Sequence, residues 1–427
     1  PSLAANSSTL FGHFLRIILP AVLTVNKKFT AILSIVKFSD ILQGMSFGKF
    51  ESARTIVIIP EKFHKPALQI TFAKFLCTLN LSTKKGPSIM KTDILIAGSG
   101  CSGLYCALQL PRDKKITVIT KSDLTSNDSF LAQGGMCMLK EQSDYDSFFE
   151  DTMKAGHYEN EQKIREIMIK TSGVVRDLVS YGAQFERNED GSLAYTKEGA
   201  HSTNRIIFHE DVTGKEITST LLREVQKLSN VELLEYTTLV DILEKDNHCY
   251  GAVIRRPDGS LDTVTATYTV LASGGVGGLY RHSTNFRHLT GDALAIAGKH
   301  NIELQNPDYV QIHPTTFYTK HPEDRSFLIS ESVRGEGARL YDKNMNRFVN
   351  ELLPRDLLSQ KIHEQMAKDG TDFVWEDLRT IPAETLRHHF PNIVEHCREM
   401  GYDVFKECIP VVPAQHYFMG GVKVDYQ

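Results

Sequence analysis

The sequence predicts an α/β protein in which a Rossmann-like dinucleotide-binding domain is interrupted by an inserted α+β domain. Two observations support this fold class. A G-x-G-x-x-G motif formed by Gly98, Gly100 and Gly103 lies between an apolar run at residues 92–97 and a helical pattern. Further on, short strand-like and helix-like segments alternate from residue 308 to residue 417, which indicates the inserted second domain.

The segments on either side of the glycine motif support its interpretation as a cofactor-binding motif. The apolar run before it is typical of a buried parallel strand, and a second run at residues 116–120 completes a β-α-β unit. In such a unit the glycines allow a tight turn, admit a pyrophosphate against bare backbone and let the helix pack on the strand. The motif predicts an ADP-containing cofactor, and by itself it does not choose between NAD and FAD.

The residues after the second strand favour a flavin. An acidic residue about 20 positions beyond the glycines normally holds the ribose hydroxyls, whereas here the strand ends in Thr120-Lys121-Ser122 with Asp123 just past it. This departure weakens the NAD interpretation in particular. The loop at residues 127–135 is rich in small and amide side chains, and it can lay backbone donors along an isoalloxazine ring. The sequence therefore favours FAD over NAD.

Other periodic segments predict further elements of the first domain. Helical spacing spans residues 151–181 and 216–228, and a β-meander is predicted between residues 231 and 269. Within the meander, Pro257-Asp258-Gly259 predicts a hairpin turn. The meander ends in an apolar strand, residues 270–272, which runs into glycines.

Composition narrows the class of ligand. With 427 residues, 41% apolar and 23% charged, the chain is long enough to bury a sizeable core in two or three domains. The net charge of -4 gives no basic field, so nucleic acid is not an expected partner, and a small ligand is favoured. The seven cysteines are odd in number and form no C-x-x-C pair, which predicts a reducing cytoplasm and no metal site.

Residues 1–89 differ from the rest of the chain. They are basic and contain only three acidic residues, Asp40, Glu51 and Glu61. The longest apolar stretch, residues 17–25, is far shorter than the ~20 residues of a membrane-spanning helix, so no membrane partner is expected. Two interpretations stay open: sequence upstream of a translation start at Met90, or a targeting leader that would make the protein organellar.

Seven sequence blocks, taken in order, resemble the flavoprotein family of succinate dehydrogenase, fumarate reductase and L-aspartate oxidase. They are the glycine motif at 98–103, Ala132-Gln133-Gly134-Gly135, Ala272-Ser273-Gly274-Gly275, Thr290-Gly291-Asp292, Gln311-Ile312-His313-Pro314-Thr315, Arg334-Gly335-Glu336-Gly337-Ala338 and Pro354-Arg355-Asp356. The resemblance implies an FAD-binding domain at 90–307, a capping domain at 308–417 and a short return to the first domain at 418–427. It also implies that the chain stops before the family's last flavin-binding and substrate-binding segment.

The resemblance assigns a set of flavin neighbours. They are Gly98, Gly100, Gly103, Lys121, Ser129, Gln133, Gly134, Gly135 and Asp292. Members of the family that attach FAD covalently have a histidine five residues before the loop glutamine. In this chain that position is Asp128, so the FAD is expected to be non-covalent.

Two stretches resemble the L-aspartate oxidase branch of the family. One is residues 196–202, which contain Glu198, a residue that the respiratory dehydrogenases lack. A carboxylate beside the substrate would repel a plain dicarboxylate and attract an α-ammonium group, so a small dicarboxylic amino acid is the expected substrate. The other is residues 413–417, where Gln415 replaces an alanine of that branch.

Hydride and proton loss from a carbon-nitrogen bond needs cations and hydrogen-bond donors around two carboxylates. By resemblance, His313 and His416 bind one carboxylate, with Gln311 and Thr315 beside them, and Ser330 supports the other. Arg355 is the expected catalytic cation. Because an arginine is a poor base in water, Glu331 is expected to assist it.

The resemblance further implies oxidation of L-aspartate to iminoaspartate, with oxygen or fumarate as electron acceptor. This would be the first step of NAD biosynthesis, beside quinolinate synthase. Two rivals stay open: a soluble fumarate reductase or succinate oxidase, and an inactive flavin-binding fragment. Glu198 is the residue that separates the first rival from an amino-acid oxidase.

Overall fold

The fold is organised around three four-stranded sheets. In the computed structural model, the described residues are 89–156, 161–197, 201–320 and 325–425. The strands are β1 Ile89–Lys91, β2 Ile94–Ala97, β3 Ile116–Ile119, β4 Met136–Cys137, β5 Ile206–Ile207, β6 Val231–Leu234, β7 Thr238–Lys245, β8 His248–Arg255, β9 Leu261–Thr265, β10 Tyr268–Leu271, β11 Leu304–Gln305, β12 Val310–Phe317, β13 Arg339–Tyr341, β14 Val374–Asp377, β15 Ile409–Phe418 and β16 Gly421–Val422. The α-helices are α1 Cys101–Gln109, α2 Asp128–Leu131, α3 Tyr145–Ala155, α4 Glu161–Ser180, α5 Thr213–Gln226, α6 Asp292–Lys299, α7 Glu331–Gly335, α8 Arg355–Asp369, α9 Ala383–His389 and α10 Pro391–Glu399.

The first sheet is parallel, in the order β10-β2-β3-β6. Its two central strands are buried along their whole length, as their unbroken apolar sequence predicts. Helix α1 packs on β2 through Gly103, whose added Cβ would lie 2.0 Å from the carbonyl oxygen of Gly98. The predicted β-α-β unit around the glycine motif is confirmed.

The second sheet has the order β1-β9-β8-β7, in which β1 is parallel to β9 and the other pairs are antiparallel. The predicted hairpin turn joins β8 to β9, and Gly259 in it has φ +80°. The meander prediction for residues 231–269 was too broad. Strands β6 and β10 belong to the parallel sheet instead, because Leu233 and Val270 pack on its apolar core.

One helix predicted from the sequence corresponds to two helices in the structure. The spacing over residues 151–181 predicted a single helix, whereas the structure has α3 and then α4. Helix α3 begins earlier, at Tyr145, and ends at Ala155, just before Gly156, whose backbone is extended at φ -86° and ψ 151°. The helix predicted at 216–228 is confirmed as α5.

The third sheet is antiparallel, in the order β12-β15-β14-β13, and extends from Val310 to Phe418, one residue beyond the predicted inserted segment. Its core is apolar and includes Ile329, Leu340, Leu358, Ile393 and Val411. Strands β12 and β15 pair with register shifts after Gln311 and between His313 and Thr316. Such bulges re-aim side chains at a strand end, and here they bring two histidines together.

Strands β11 and β16 pair at the other end of this segment, Leu304 opposite Val422, which returns the chain to the first part of the fold. The boundaries at residues 307 and 417 stay predictions. Among the described residues, no helix is both long and apolar enough to span a membrane.

Candidate functional site

A cavity of about 680 Å³ opens at the carboxyl ends of the parallel strands. Its wall includes Gly98 and Gly100 on one side, and Ala272 to Gly275 after β10. Gly98 has φ +126°, and a Cβ there would lie 2.0 Å from the carbonyl oxygen of Ala272. The cavity therefore lies where an α/β sheet of this kind binds its ligand, and its floor is bare backbone.

An ion pair lies on the cavity wall. Lys121, just after β3, donates from Nζ to Asp292 Oδ2 at 2.8 Å and to Thr290 Oγ1 at 2.8 Å. Thr290 in turn donates to Asp292 Oδ1 at 2.7 Å. Two of the predicted flavin neighbours, Lys121 and Asp292, are thus held together, 171 residues apart in sequence.

The loop at residues 127–135 splits into two parts. Ser129 lines the cavity, and its Oγ accepts from the Cys101 N–H at 3.1 Å, which ties the loop to the start of α1. Gln133, Gly134 and Gly135 are not among the residues of the cavity wall. Gln133 nevertheless has a buried Oε1 that accepts no hydrogen bond from any described residue.

Asp128 also lines the cavity, at the position where a covalent attachment would need a histidine. Its Oδ1 accepts from the Phe286 N–H at 3.1 Å. Burial raises its pKa to about 6, against the opposing effects of that hydrogen bond and of Arg325. Sequence reasoning gave Asp128 no function beyond excluding a covalent bond.

A second cluster, which we call the arginine cluster, contains Arg355, Glu331, Gln311, His313 and His416. Arg355, the first residue of α8, donates from Nε to Glu331 Oε2 at 2.6 Å and from NH1 to Gln311 Oε1 at 2.8 Å. Glu331 is the first residue of α7, and Gln311 lies on β12. Three separate elements thus fix one guanidinium group.

The two histidines of the cluster lie on paired strands. The ring centroids of His313 on β12 and His416 on β15 are 5.3 Å apart in an edge-to-face arrangement. Burial lowers the pKa of His416 to about 4, with a further contribution from Arg355. Burial also lowers the pKa of His313 well below its usual range, and His416 and Arg355 act in the same direction. Both rings are neutral at physiological pH.

The remaining predicted site residues have local hydrogen bonds. Thr315 is buried and donates from Oγ1 to the Ile329 carbonyl at 3.1 Å. Its carbonyl oxygen lies 2.9 Å and its N–H 3.2 Å from His313 Nδ1, so the partner of Nδ1 depends on the tautomer of that ring. Ser330 is the N-cap of α7, where its Oγ accepts from the Ser332 N–H at 3.3 Å. Glu198 lies outside the described residues.

Strand β15 contributes one residue to the cavity wall and another to the arginine cluster. Phe418 lies on the cavity wall, and His416 lies two residues earlier on the same strand, which is a separation of roughly 7 Å. Sequence reasoning missed the segment that braces this strand, Ser283 to Asn285, and it gave no role to Thr290, although Thr290 lies in one of the seven blocks. Short polar residues in loops carry no periodic signal that would have found them.

Comparison with known proteins identifies the family. A family model described as FAD binding domain matches residues 93–427. The L-aspartate oxidase of Clostridium perfringens is 46% identical over 334 residues, covering 78% of this chain and 76% of that protein. The L-aspartate oxidase of Clostridium acetobutylicum is 43% identical over 338 residues, covering 79% and 78%. The chain belongs to the L-aspartate oxidase family.

The solved structures agree at the level of the wider flavoprotein group. The FrdA chain of E. coli quinol fumarate reductase superposes with a TM-score of 0.72 at 28% identity, covering 78% of this chain and 62% of that one. The α/β fold with an FAD-binding domain is therefore confirmed.

The cofactor of the family is FAD, and the residues present fit it. Gly98 and Gly100 line the cavity as bare backbone, because a Cβ at Gly98 would lie 2.0 Å from the Ala272 carbonyl oxygen and a Cβ at Gly100 would lie 3.0 Å from Ser129 Oγ. The N–H groups at the start of α1 and the Lys121 ammonium suit a diphosphate.

Proposed function

We propose that this protein oxidises L-aspartate to iminoaspartate with non-covalently bound FAD. The observation that carries the proposal is Arg355, clamped between Glu331 and Gln311 beside the His313–His416 pair. This cluster offers one fixed cation and two neutral imidazoles, which is a suitable set for a dianionic substrate. The similarity to named L-aspartate oxidases supports the same choice.

The arginine cluster and Ser330 are proposed to bind the two substrate carboxylates. A neutral imidazole offers one N–H, so His313 and His416 donate to one carboxylate, His313 in the tautomer whose Nδ1 accepts from the Thr315 N–H, with Gln311 and Thr315 shaping the same pocket. Ser330, at the start of α7, supports the other carboxylate. Among the described residues, the second terminal nitrogen of Arg355 has no hydrogen-bond partner, so it is free to donate to the substrate.

Proton removal is assigned to Arg355 and Glu331. The oxidation takes a hydride and a proton from the substrate, and FAD, when bound, supplies the two-electron acceptor. A terminal nitrogen of Arg355 takes the substrate proton as the Nε proton passes to Glu331 Oε2, 2.6 Å away, so Arg355 stays a cation and Glu331 ends the step as the neutral acid. The electrons pass on to oxygen or to fumarate, which balances the reaction.

Glu198 is proposed to select the amino acid. Its carboxylate would pair with the α-ammonium group, and a plain dicarboxylate offers it no such partner. Because the sequence around it is similar to that of L-aspartate oxidases, we place this role on Glu198 and not on the arginine cluster, which any dicarboxylate can use.

Glu198→Gln tests the proposal. We expect turnover of L-aspartate to fall by about 10- to 100-fold, because a hydrogen-bonded charge pair is worth ~1.5–3 kcal/mol. Fumarate reduction should change less than threefold. The control is Glu189→Gln, an exposed glutamate in a turn nine residues earlier in the sequence. Equal losses on both substrates, or rapid succinate oxidation by the wild type with none of L-aspartate, would contradict the amino-acid assignment.

A fumarate reductase or succinate oxidase is the second candidate. The structural similarity to E. coli quinol fumarate reductase favours it, because the arginine cluster itself does not distinguish the substrates. Parallel assays with L-aspartate, succinate, L-glutamate and fumarate separate the candidates. Bound flavin without turnover of any of the four would identify an inactive flavin-binding fragment.

The cellular setting is part of the proposal. Iminoaspartate would be passed to quinolinate synthase as the first step of NAD biosynthesis, which is the role that the resemblance implies. A reducing cytoplasm suits the seven scattered cysteines, which form no C-x-x-C pair in the sequence.

A further inference from the structure

A buried polar segment, Ser283 to Asn285, braces the strand that carries His416. Ser283 donates from Oγ to Gln415 Oε1 at 2.6 Å, and the Thr284 N–H donates to the Gln415 carbonyl at 3.0 Å. Asn285 donates from Nδ2 to the His416 carbonyl at 3.1 Å. The three residues are 0%, 5% and 8% exposed, so these hydrogen bonds are shielded from water.

One contact of this segment reaches the imidazole itself. Thr284 Oγ1 lies 2.7 Å from His416 Nδ1. A hydroxyl can donate or accept, so the direction of this hydrogen bond depends on which ring nitrogen carries the proton. His416 is neutral at physiological pH, and it therefore has a single N–H.

The direction of the hydrogen bond between Thr284 and His416 follows from the proposed binding of a substrate carboxylate by His416. A carboxylate only accepts hydrogen bonds, so a neutral His416 can bind one only through a protonated nitrogen. Nδ1 is already occupied by Thr284, which leaves Nε2 for the substrate. Nε2 then carries the proton, Nδ1 accepts, and the Thr284 hydroxyl donates. The other tautomer would present a bare nitrogen lone pair to a negative ligand.

We propose that Thr284 is a positioning residue for substrate binding: its hydroxyl holds His416 in the Nε2–H tautomer and so sets the affinity for a dicarboxylate. This inference rests on one part of the proposed function, that His416 binds a substrate carboxylate. It does not depend on whether the substrate carries an amino group.

The test uses the flavin-loaded full chain and two probes, L-aspartate and succinate. Each is titrated while the perturbation of the flavin absorbance is followed, which gives a Kd independent of turnover. We expect Thr284→Val to raise both Kd values about five- to tenfold, because one buried hydrogen bond is worth about 1 kcal/mol. Thr284→Ser, which keeps the hydroxyl, should stay within twofold of the wild type.

Two comparisons separate positioning from a general structural effect. Thr316→Val removes a hydroxyl that is equally buried and donates to the Val412 carbonyl at 2.8 Å without contacting an imidazole. It should leave both Kd values within twofold. In a His416→Ala background, Thr284→Val should have no further effect on Kd, since the group through which it acts is gone.

A spectroscopic measurement keeps the inference testable even where Thr284→Val does not fold. The ¹⁵N spectrum of histidine-labelled wild type, with the His416 signals assigned by His416→Ala, should show a protonated Nε2 and an unprotonated Nδ1. A protonated Nδ1 would overturn the inference, as would an unchanged Kd in Thr284→Val or an equal loss in Thr316→Val. Succinate binding without L-aspartate turnover would overturn only the amino-acid assignment. Binding of neither dicarboxylate would overturn both proposals.

Discussion

The cofactor cavity and the arginine cluster are built in different ways. The cavity depends on the absence of side chains at Gly98 and Gly100, because an added Cβ would lie 2.0 Å from the Ala272 carbonyl oxygen at the first position and 3.0 Å from Ser129 Oγ at the second. The arginine cluster depends on what is present, a guanidinium held by two side chains from two other elements. We therefore expect variants of the cavity to lose FAD because an added side chain clashes with the backbone. Variants of the arginine cluster should instead lose activity because a charge is removed, while FAD stays bound.

The largest expected effect is at the cavity floor. Gly98→Ala should abolish FAD binding, because its φ of +126° is unfavourable for alanine and the new Cβ would lie 2.0 Å from the Ala272 carbonyl oxygen. The measurement is the ratio of flavin to protein after purification.

The matched control for this variant is Gly298→Ala. Gly298 lies in α6, and no heavy atom lies within 4 Å of its added Cβ. Alanine there should keep the flavin and should stabilise the helix by roughly 1 kcal/mol. Flavin content close to that of the wild type in Gly98→Ala would remove the steric account of the cavity.

Arg355→Gln tests the other half of the comparison. It should lower kcat by about 10²- to 10⁴-fold while leaving the flavin content unchanged, because it removes the proton-transfer cation but not the cavity wall. Steady-state kinetics and the flavin absorbance measure the two effects on one sample. Arg398→Gln, in an exposed ion pair with Glu395, is the control and should change neither. A loss of kcat below tenfold, or a parallel loss of flavin, would place Arg355 outside the role proposed here.

The same contrast explains what could be predicted from the sequence. Gly98 was predicted because a strand, a glycine motif and a helix limit the possible geometry, whereas Lys121 was predicted from the family resemblance, and both line the cavity. Gln133 to Gly135 matched a known block, yet they are not on the cavity wall. A match to a sequence block gives the order of the residues along the chain. It does not show which of these residues face the cavity.

Thr284 and Glu376 mark the limit of sequence reasoning. Thr284 lies next to His416 although the two are 132 residues apart, and no local pattern links them. Glu376 lies beside Asp377 in a short strand, where an acidic pair suggests an exposed end. Pairing of β14 between β13 and β15 buries the Glu376 side chain completely. Both cases arise from long-range packing.

The smallest expected effect concerns Glu376, a fully buried carboxyl group that interacts electrostatically with Arg334. Both carboxyl oxygens of Glu376 are buried without a hydrogen-bond partner among the described residues, as are Nε and NH2 of Arg334. Burial raises the pKa of Glu376 to about 8, and the attraction of Arg334 opposes this without reversing it.

The sign of the resulting pH dependence is fixed by these two pKa values. The folded protein keeps Glu376 protonated up to about pH 8, whereas the unfolded chain ionises it near its ordinary value of 4.5. The contribution to stability is therefore complete below pH 4.5 and is lost as the pH rises toward 8. Since one pKa unit corresponds to ~1.4 kcal/mol, the loss is on the order of a few kcal/mol. Glu376→Gln, which is neutral at every pH, should have a thermal midpoint that falls less than that of the wild type between pH 5 and pH 8.5. The exposed Glu399→Gln should follow the wild type, and parallel curves for all three proteins would show that Glu376 is ionised in the fold, as part of an ion pair with Arg334.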